Sequence, residues 1–257
     1  MKKLIFTLLF AAVIQLPLEA RTIYVTRHGQ VNPKIRISQK VRDLALTELG
    51  IKQANALAAF LVKEKKFNGK IYVSPFYRTI QTGTCTAKLL NSKVILEPGI
   101  QEIAPGKKPS YSMDLKTIET FFPGLIIPGK RFSDTWRVFA ENAQMRNSRV
   151  EKAVEAILAE EKGDILLVSH GGIIGPVNRT ILKRAVSPKA GRVRGTAWNC
   201  ALYIFELDEN DKLVKASYTT QYMDEKELTS NFRTPKIPRP DDPRYENKPI
   251  KKGKKKK

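Results

Sequence analysis

Two short apolar runs in this chain stop in the same way. Thr22-Ile-Tyr-Val-Thr26 ends at Arg27-His28-Gly29, and Ile165-Leu-Leu-Val168 ends at Ser169-His170-Gly171-Gly172. A β-branched run of this length, closed by glycine, reads as a strand buried on both faces, and such strands belong to parallel sheets covered by helices. Ligands in open α/β sheets bind just outside the carboxyl ends of the strands. The chain has two histidines, and both stand at these strand ends, so a single site holding both is expected.

The rest of the chain fits the same plan. Residues 30–43 are polar and basic and read as a loop. Thr47 is a good N-cap for a helix whose apolar face carries Leu49, Ala54, Leu57, Ala58 and Leu61. Residues 70–73 form a second strand, ended by Ser74-Pro75 because proline cannot continue a central ladder. A helix over 77–90 and a short strand over 94–96 follow. From 98 to 128 the pattern loosens, with room for one short helix near 114–121. Ser133-Asp134 predicts the start of a long helix running to about Glu161, and a helix over 172–183 follows the second histidine strand. Residues 199–207 and 213–219 pair as a hairpin across Asp208-Glu209-Asn210-Asp211. Strands alternating with helices predict a three-layer α/β/α sandwich with a mainly parallel sheet, an antiparallel edge strand and a small inserted cap region at 98–150.

The ends of the chain differ from its body. Met1-Lys2-Lys3, an apolar stretch from Leu4 to Ile14 and Ala20 together match a secretory signal peptide over 1–20, so the folded domain is expected over 21–230 and its location in the periplasm or outside the cell. Residues 231–257 are rich in proline and lysine, with seven lysines in the last ten positions, and are expected to form a solvated, disordered tail that binds anionic surfaces weakly. The formal charge of +21 falls to +14 without those lysines. That excess favours anionic ligands in general and specifies no nucleic acid. Cys85 and Cys200 are the only cysteines, and whether they pair is left open, as is the oligomeric state.

Four segments share the carboxyl ends of the strands: Arg27-His28-Gly29, Ser74-Pro75-Phe76-Tyr77-Arg78-Thr79, Ile100-Gln101-Glu102-Ile103 and Ser169-His170-Gly171-Gly172. Two arginines, two imidazoles and a carboxylate suit a phosphoryl group. Arginine offers phosphate oxygens a planar fork of donors, and a helix starting at Gly171 adds backbone N–H groups and the positive end of its dipole. A neutral imidazole is a competent nucleophile toward phosphorus. Arg78, a cation in the first turn of a helix, opposes that dipole and is best explained by a bound anion. Trp136 and Phe139 read as packing residues, and Lys107, Lys108, Arg131, Arg137, Arg192 and Arg194 as exposed cations.

In these segments the chain resembles the histidine phosphatase superfamily, which includes cofactor-dependent phosphoglycerate mutases. The likeness rests on Arg27-His28-Gly29, on Leu46-Thr47-Glu48-Leu49-Gly50-Ile51-Lys52-Gln53-Ala54, on Ser74 to Thr82 with Arg78 in the arginine position, and on Ser169-His170-Gly171-Gly172. It spans about residues 22 to 206. The resemblance implies that His28 is phosphorylated and then dephosphorylated, that Arg27, Arg78, His170 and Gly171 hold the phosphoryl oxygens, and that Glu102 gives a proton to the leaving alcohol and takes one from water. It implies a small phosphomonoester as substrate and no metal or cofactor. The chain departs from the family at Gln30-Val31, where a glutamate or threonine pair is usual, and Asn32 comes early for the family's loop asparagine. The Glu-Arg-His-Tyr-Gly segment of the mutases is absent, and His170 is not followed by the aspartate of the acid phosphatase branch. A mutase-type phosphotransferase and a non-catalytic phospho-ligand binding protein, tethered by its basic tail, are the alternatives to an exported phosphatase.

Overall fold

Alternation along the strands decides how the chain layers. In β1 (Arg21–Arg27), Ile23 and Val25 enter one apolar cluster and Tyr24 the other. β4 (Lys70–Val73) sends Ile71 and Val73 to the Tyr24 side and Tyr72 to the opposite side. β7 (Ile165–Ser169) divides Leu166 and Val168 from Ile165 and Leu167 in the same way. A strand with both faces apolar needs cover on both, and the helices divide accordingly. α1 (Glu48–Ala59), α2 (Tyr77–Leu89) and α3 (Leu115–Phe121) pack Ala54, Leu57, Ile80, Ala87 and Ile118 onto the Tyr24 side. α4 (Ala143–Glu160) and α5 (Gly171–Leu182) pack Val150, Val154, Ile157, Ile173, Val177 and Ile181 onto the other.

This computed structural model describes residues 19–37, 43–103, 113–134, 136 and 140–230. The expected leader, up to residue 18, and the tail from residue 231 lie outside the described residues, as do Lys107, Lys108, Arg137 and Phe139. The remaining strands are β2 (Val31–Arg36), β3 (Leu44–Leu46), β5 (Val94–Leu96), β6 (Ile126–Pro128), β8 (Leu202–Leu207) and β9 (Leu213–Thr219). The seven-stranded sheet has the order β6-β5-β4-β7-β1-β8-β9. It is parallel from β6 to β1, and β8 and β9 complete it as an antiparallel pair. This is the expected α/β architecture.

Three local expectations give way. Residues 30–43 are not wholly loop, because β2 pairs with β3 in a separate two-stranded ribbon. The long helix begins at Ala143, capped by Asn142, whose side chain accepts from the Met145 N–H at 2.9 Å. Asp134 does not open it, because its carboxylate takes the Leu115 N–H at the start of α3 (2.8 Å). The stretch 98–128 also contributes an unexpected strand, β6, to the sheet edge. Cys85 and Cys200 are both free thiols. Among the described residues no helix is long and apolar enough to cross a membrane.

Candidate active site

Sheet register brings the strand ends together. Arg27 stands opposite Ser169, and Val73 opposite Val168. The next residues keep the pairing: the His28 N–H donates to Ser169 O (3.0 Å) and the Ser74 N–H to Val168 O (3.1 Å). His28 and His170 therefore emerge side by side, with ring centroids 5.3 Å apart. Both are buried, at 3% and 0% exposure.

Hydrogen-bond partners assign the protons on both rings. His28 Nδ1 lies 2.7 Å from Gly29 O. A carbonyl only accepts, so Nδ1 carries the hydrogen and the Nε2 lone pair is free. His170 Nδ1 faces an Arg78 guanidinium nitrogen at 3.1 Å. Arginine only donates, so His170 Nδ1 accepts and its Nε2–H donates to Ser74 Oγ (2.8 Å). Electrostatics keeps both rings neutral. Burial first, and then Arg78 and Arg27, hold His28 well below the ordinary histidine range. His170 is depressed by burial, then by Arg78, His28 and Arg27.

Around this pair stand the charged groups. Arg27, at 7% exposure, donates to Ala197 O and to Ser230 Oγ, both at 3.1 Å. Arg78 enters from the first turn of α2, its guanidinium 4.5 Å from the Phe76 ring centre. Its ion pair with Asp43 (2.8 Å) answers the helix-dipole conflict that the sequence raises: the countercharge in the structure is a carboxylate of the chain itself. Glu102 Oε2 lies 4.0 Å from His170 Nδ1, with a side chain 30% exposed. Burial raises its carboxyl above the usual range, against the pull of the Ile103 N–H, Arg78 and Arg27. The nearby Glu97 lies elsewhere: it is fully buried, caps Gly99 and pairs with Arg131 at 2.6 Å. Arg131 is thus an ion-pair partner and not a free surface cation.

The motif residues that do not face the pocket hold its backbone. A Cβ on Gly29 would come within 2.5 Å of Gly50 O, and one on Gly50 within 2.2 Å of Gln30 O. The first two motifs therefore pack main chain on main chain, a contact that only glycine permits. Gly171 and Gly172 leave room for side chains instead, since added Cβ atoms would stand 3.2 Å from Arg27 Cζ and 2.7 Å from Glu102 Oε1. Thr82 Oγ accepts from the Gly29 N–H (3.0 Å) and donates to Arg78 O (2.7 Å). Gln53 takes the Gln30 N–H at 2.9 Å, and Gln81 takes the Leu46 N–H at the same distance. Thr47 caps α1 and bonds Gln30 Oε1, outside the pocket. Trp136 is buried against Phe76, its indole N–H donating to Met113 O (2.9 Å).

Sequence reasoning missed four further groups. Asp43 is one. Asn199 donates to His28 O (2.8 Å). Arg149, on α4, pairs with Glu141 and donates to Gly99 O (2.8 Å) and Gln101 O (3.3 Å), gripping the turn that carries Glu102. The segment ending at Ser230 is the last: Gln53 donates to Glu227 O and to Thr229 Oγ (3.0 Å), and Asn199 N to Thr229 O (2.7 Å). No motif spacing marks these residues. Among the described residues no three His, Cys, Asp or Glu side chains cluster as a metal centre would need.

Chemically, the arrangement offers an imidazole nitrogen with a free lone pair, two cationic forks, a second imidazole fixed between Arg78 and Ser74, and a carboxyl whose pKa burial raises. These are the elements of nucleophilic displacement at an anionic, tetrahedral centre. Comparison with known proteins agrees. Residues 23–220 match the family model described as the histidine phosphatase superfamily (branch 1). The chain is 27% identical over 247 residues to the transcription factor tau 55 kDa subunit of Saccharomyces cerevisiae, covering 82% of this chain and 51% of that protein. It is 26% identical over 148 residues to the ecdysteroid-phosphate phosphatase of Drosophila melanogaster, covering 54% of this chain and 20% of that one. It thus spans about half, or less, of each curated relative's length. The crystal structure of the ecdysone phosphate phosphatase from Bombix mori, solved with tungstate, shares the fold with a TM-score of 0.58 at 16% identity, over 83% of this chain and 97% of that one.

Proposed function

The chain belongs to the histidine phosphatase superfamily (branch 1), and on that premise we propose that it is an exported hydrolase of small phosphomonoesters, working through a phosphohistidine on His28. The observation that carries this reading is the state of His28: its Nδ1–H is committed to Gly29 O, which leaves Nε2 unprotonated between Arg27, Arg78 and His170. In the first step the Nε2 lone pair forms the N–P bond as the ester P–O bond breaks. The departing alkoxide oxygen takes its proton from Glu102. In the second, Glu102 accepts a proton from water as the water oxygen attacks phosphorus, the N–P bond breaks, and inorganic phosphate leaves. Arg27, Arg78, the His170 imidazole and the N–H groups at the start of α5, beginning with Gly171, line the site of the three non-bridging oxygens as charge spreads over them. The protein groups suffice for this scheme without a metal or cofactor.

The experiment is turnover of an aryl phosphate by the wild-type chain and by H28A. Turnover in the wild type, with loss of at least about a thousandfold in H28A, is expected for removal of a covalent nucleophile; retained activity in H28A removes His28 from that role. Export rests on the apolar, lysine-preceded N-terminus, and weak attachment to anionic surfaces on the C-terminal lysines, whose binding should fall steeply with salt. The likeness to a transcription factor subunit over 82% of the chain supports one rival, a phospho-ligand binding protein that does not turn over. Saturable phosphate binding without turnover would favour it. The mutase alternative predicts transfer of the phosphoryl group to an added alcohol in preference to water.

A further inference from the structure

We propose that Asp43 is a positioning residue of the phosphate pocket, holding the Arg78 guanidinium in the orientation that serves both a bound phosphoryl group and His170. The inference rests on the reading of the pocket given above, and it concerns a residue that lies in none of the four motifs.

Asp43 is 3% exposed. A buried carboxylate is costly unless its oxygens are satisfied, and here three donors reach it. Arg78 Nη1 lies 2.8 Å from Oδ1, the Leu44 N–H donates to the same oxygen at 2.7 Å, and the Tyr77 N–H donates to Oδ2. All three are N–H donors, so the geometry serves the ionised form. The aspartate bridges the start of β3 and the first turn of α2, two elements joined by a long stretch of chain.

Arg78 is gripped from three directions. One terminal nitrogen faces Asp43, the other faces His170 Nδ1 at 3.1 Å, and the flat face lies over Phe76. An arginine side chain has many rotamers, and an unclamped one must lose that freedom when the anion arrives. With Asp43 in place, that ordering precedes binding, and the guanidinium already stands beside His170. The countercharge also offsets the cost of an arginine placed at the positive end of the α2 dipole. Because Arg78 in turn fixes the His170 tautomer, Asp43 acts through Arg78 on both groups. A purely structural Asp43 would stitch Leu44 to Tyr77 whether or not Arg78 were present, and that difference can be measured.

The test is a double-mutant cycle in the full chain: wild type, D43N, R78A and D43N/R78A. Each is assayed for kcat/KM on 4-nitrophenyl phosphate, for the Kd of inorganic phosphate by calorimetry, and for Tm. D43N should lower kcat/KM about 10- to 100-fold and weaken phosphate binding, while in the R78A background the same substitution should change either quantity by less than about twofold. Equal losses in both backgrounds would make Asp43 a structural residue and overturn the proposal. R78K supplies a reading independent of whether D43N folds. It keeps the charge opposite Asp43 but lacks the two-point fork, so its loss should approach that of R78A, and wild-type activity in R78K overturns the proposal. If the wild-type chain binds phosphate but does not turn over, the phosphatase reading fails while the Kd cycle still decides the role of Asp43. A wild-type chain that neither binds nor turns over overturns both.

Discussion

At the scale of single residues, the proposed turnover depends on two protonation states set by burial. His28 must be neutral to attack, and burial with two neighbouring arginines depresses its pKa well below the ordinary 6.5, so it stays neutral as the solution becomes acidic. Glu102 must be protonated to act as acid, and burial raises its pKa above 4.5, so it loses its proton only as pH rises through that raised value. The pH profile of kcat/KM should therefore be bell-shaped, with an acid limb from His28, below the ordinary histidine range, and an alkaline limb from Glu102, above the ordinary carboxyl range. E102Q should abolish the alkaline limb and cost alkyl phosphates about 10²- to 10⁴-fold while sparing aryl phosphates with good leaving groups; equal loss for both classes would assign the proton to another donor. R149A should give a weaker version of the same discrimination, because Arg149 touches the turn carrying Glu102 and not the pocket. Normal alkyl-phosphate turnover in R149A would show that the turn holds itself. That His28, His170, Arg27, Arg78 and Glu102 gather in one place was legible in the sequence, because such residue types stand at or just past the ends of predicted strands. Asp43 was not. A single acid after a basic stretch reads as solvated, and its contact with Arg78 spans 35 positions that only the fold closes.

Elements deliver those residues to one place, and here the last described segment counts for more than its composition suggests. After β9 the chain returns across the strand ends through Leu228, Thr229 and Ser230, of which Leu228 is 1% and Thr229 2% exposed. It bonds Gln53, Asn199 and Arg27 on its way. A chain ending at Ser230 should keep both Tm and turnover, since residues from 231 are expected to be a solvated tail. One ending at Asp224 loses a buried leucine, worth about 2–5 kcal/mol in a packed core, and the Ser230 contact to Arg27. Both Tm and kcat/KM should fall in that shorter chain. A shorter chain as stable and active as the longer one would show that the segment merely lies on the surface. The regular elements were largely readable from periodicity: β1, β4, β5, β7, β8 and β9 and all the helices but one start close to where the pattern places them. The exception, α4, shows why boundaries resist. Ser133-Asp134 carries a sound cap signal, but the Asp134 carboxylate is used at the start of α3, 19 residues upstream, and Asn142 caps α4 instead. The β2–β3 ribbon was hidden for another reason: Val31-Asn-Pro-Lys-Ile-Arg36 lacks the alternation of a half-buried strand and carries a proline.

For the whole molecule, alternating strands and helices were enough to predict a covered, mainly parallel sheet, because strands with two apolar faces admit few other solutions. The order of strands was not legible. Nothing local says that β7, ninety residues after β4, inserts between β4 and β1, yet that insertion sets His170 beside His28. The whole domain can thus be seen as a device for bringing two strand ends into register and then packing Arg78, Glu102 and Arg27 around them. The central claim is that the phosphoryl group passes through His28 Nε2. Rapid acid-free quenching during turnover, followed by peptide mass spectrometry and ³¹P NMR of the trapped protein, tests it most directly. The account predicts one acid-labile phosphoryl group on His28, bonded at Nε2, present in the wild type and absent from H28A. Steady turnover with no such adduct, or an adduct on His170 or at Nδ1, would contradict it.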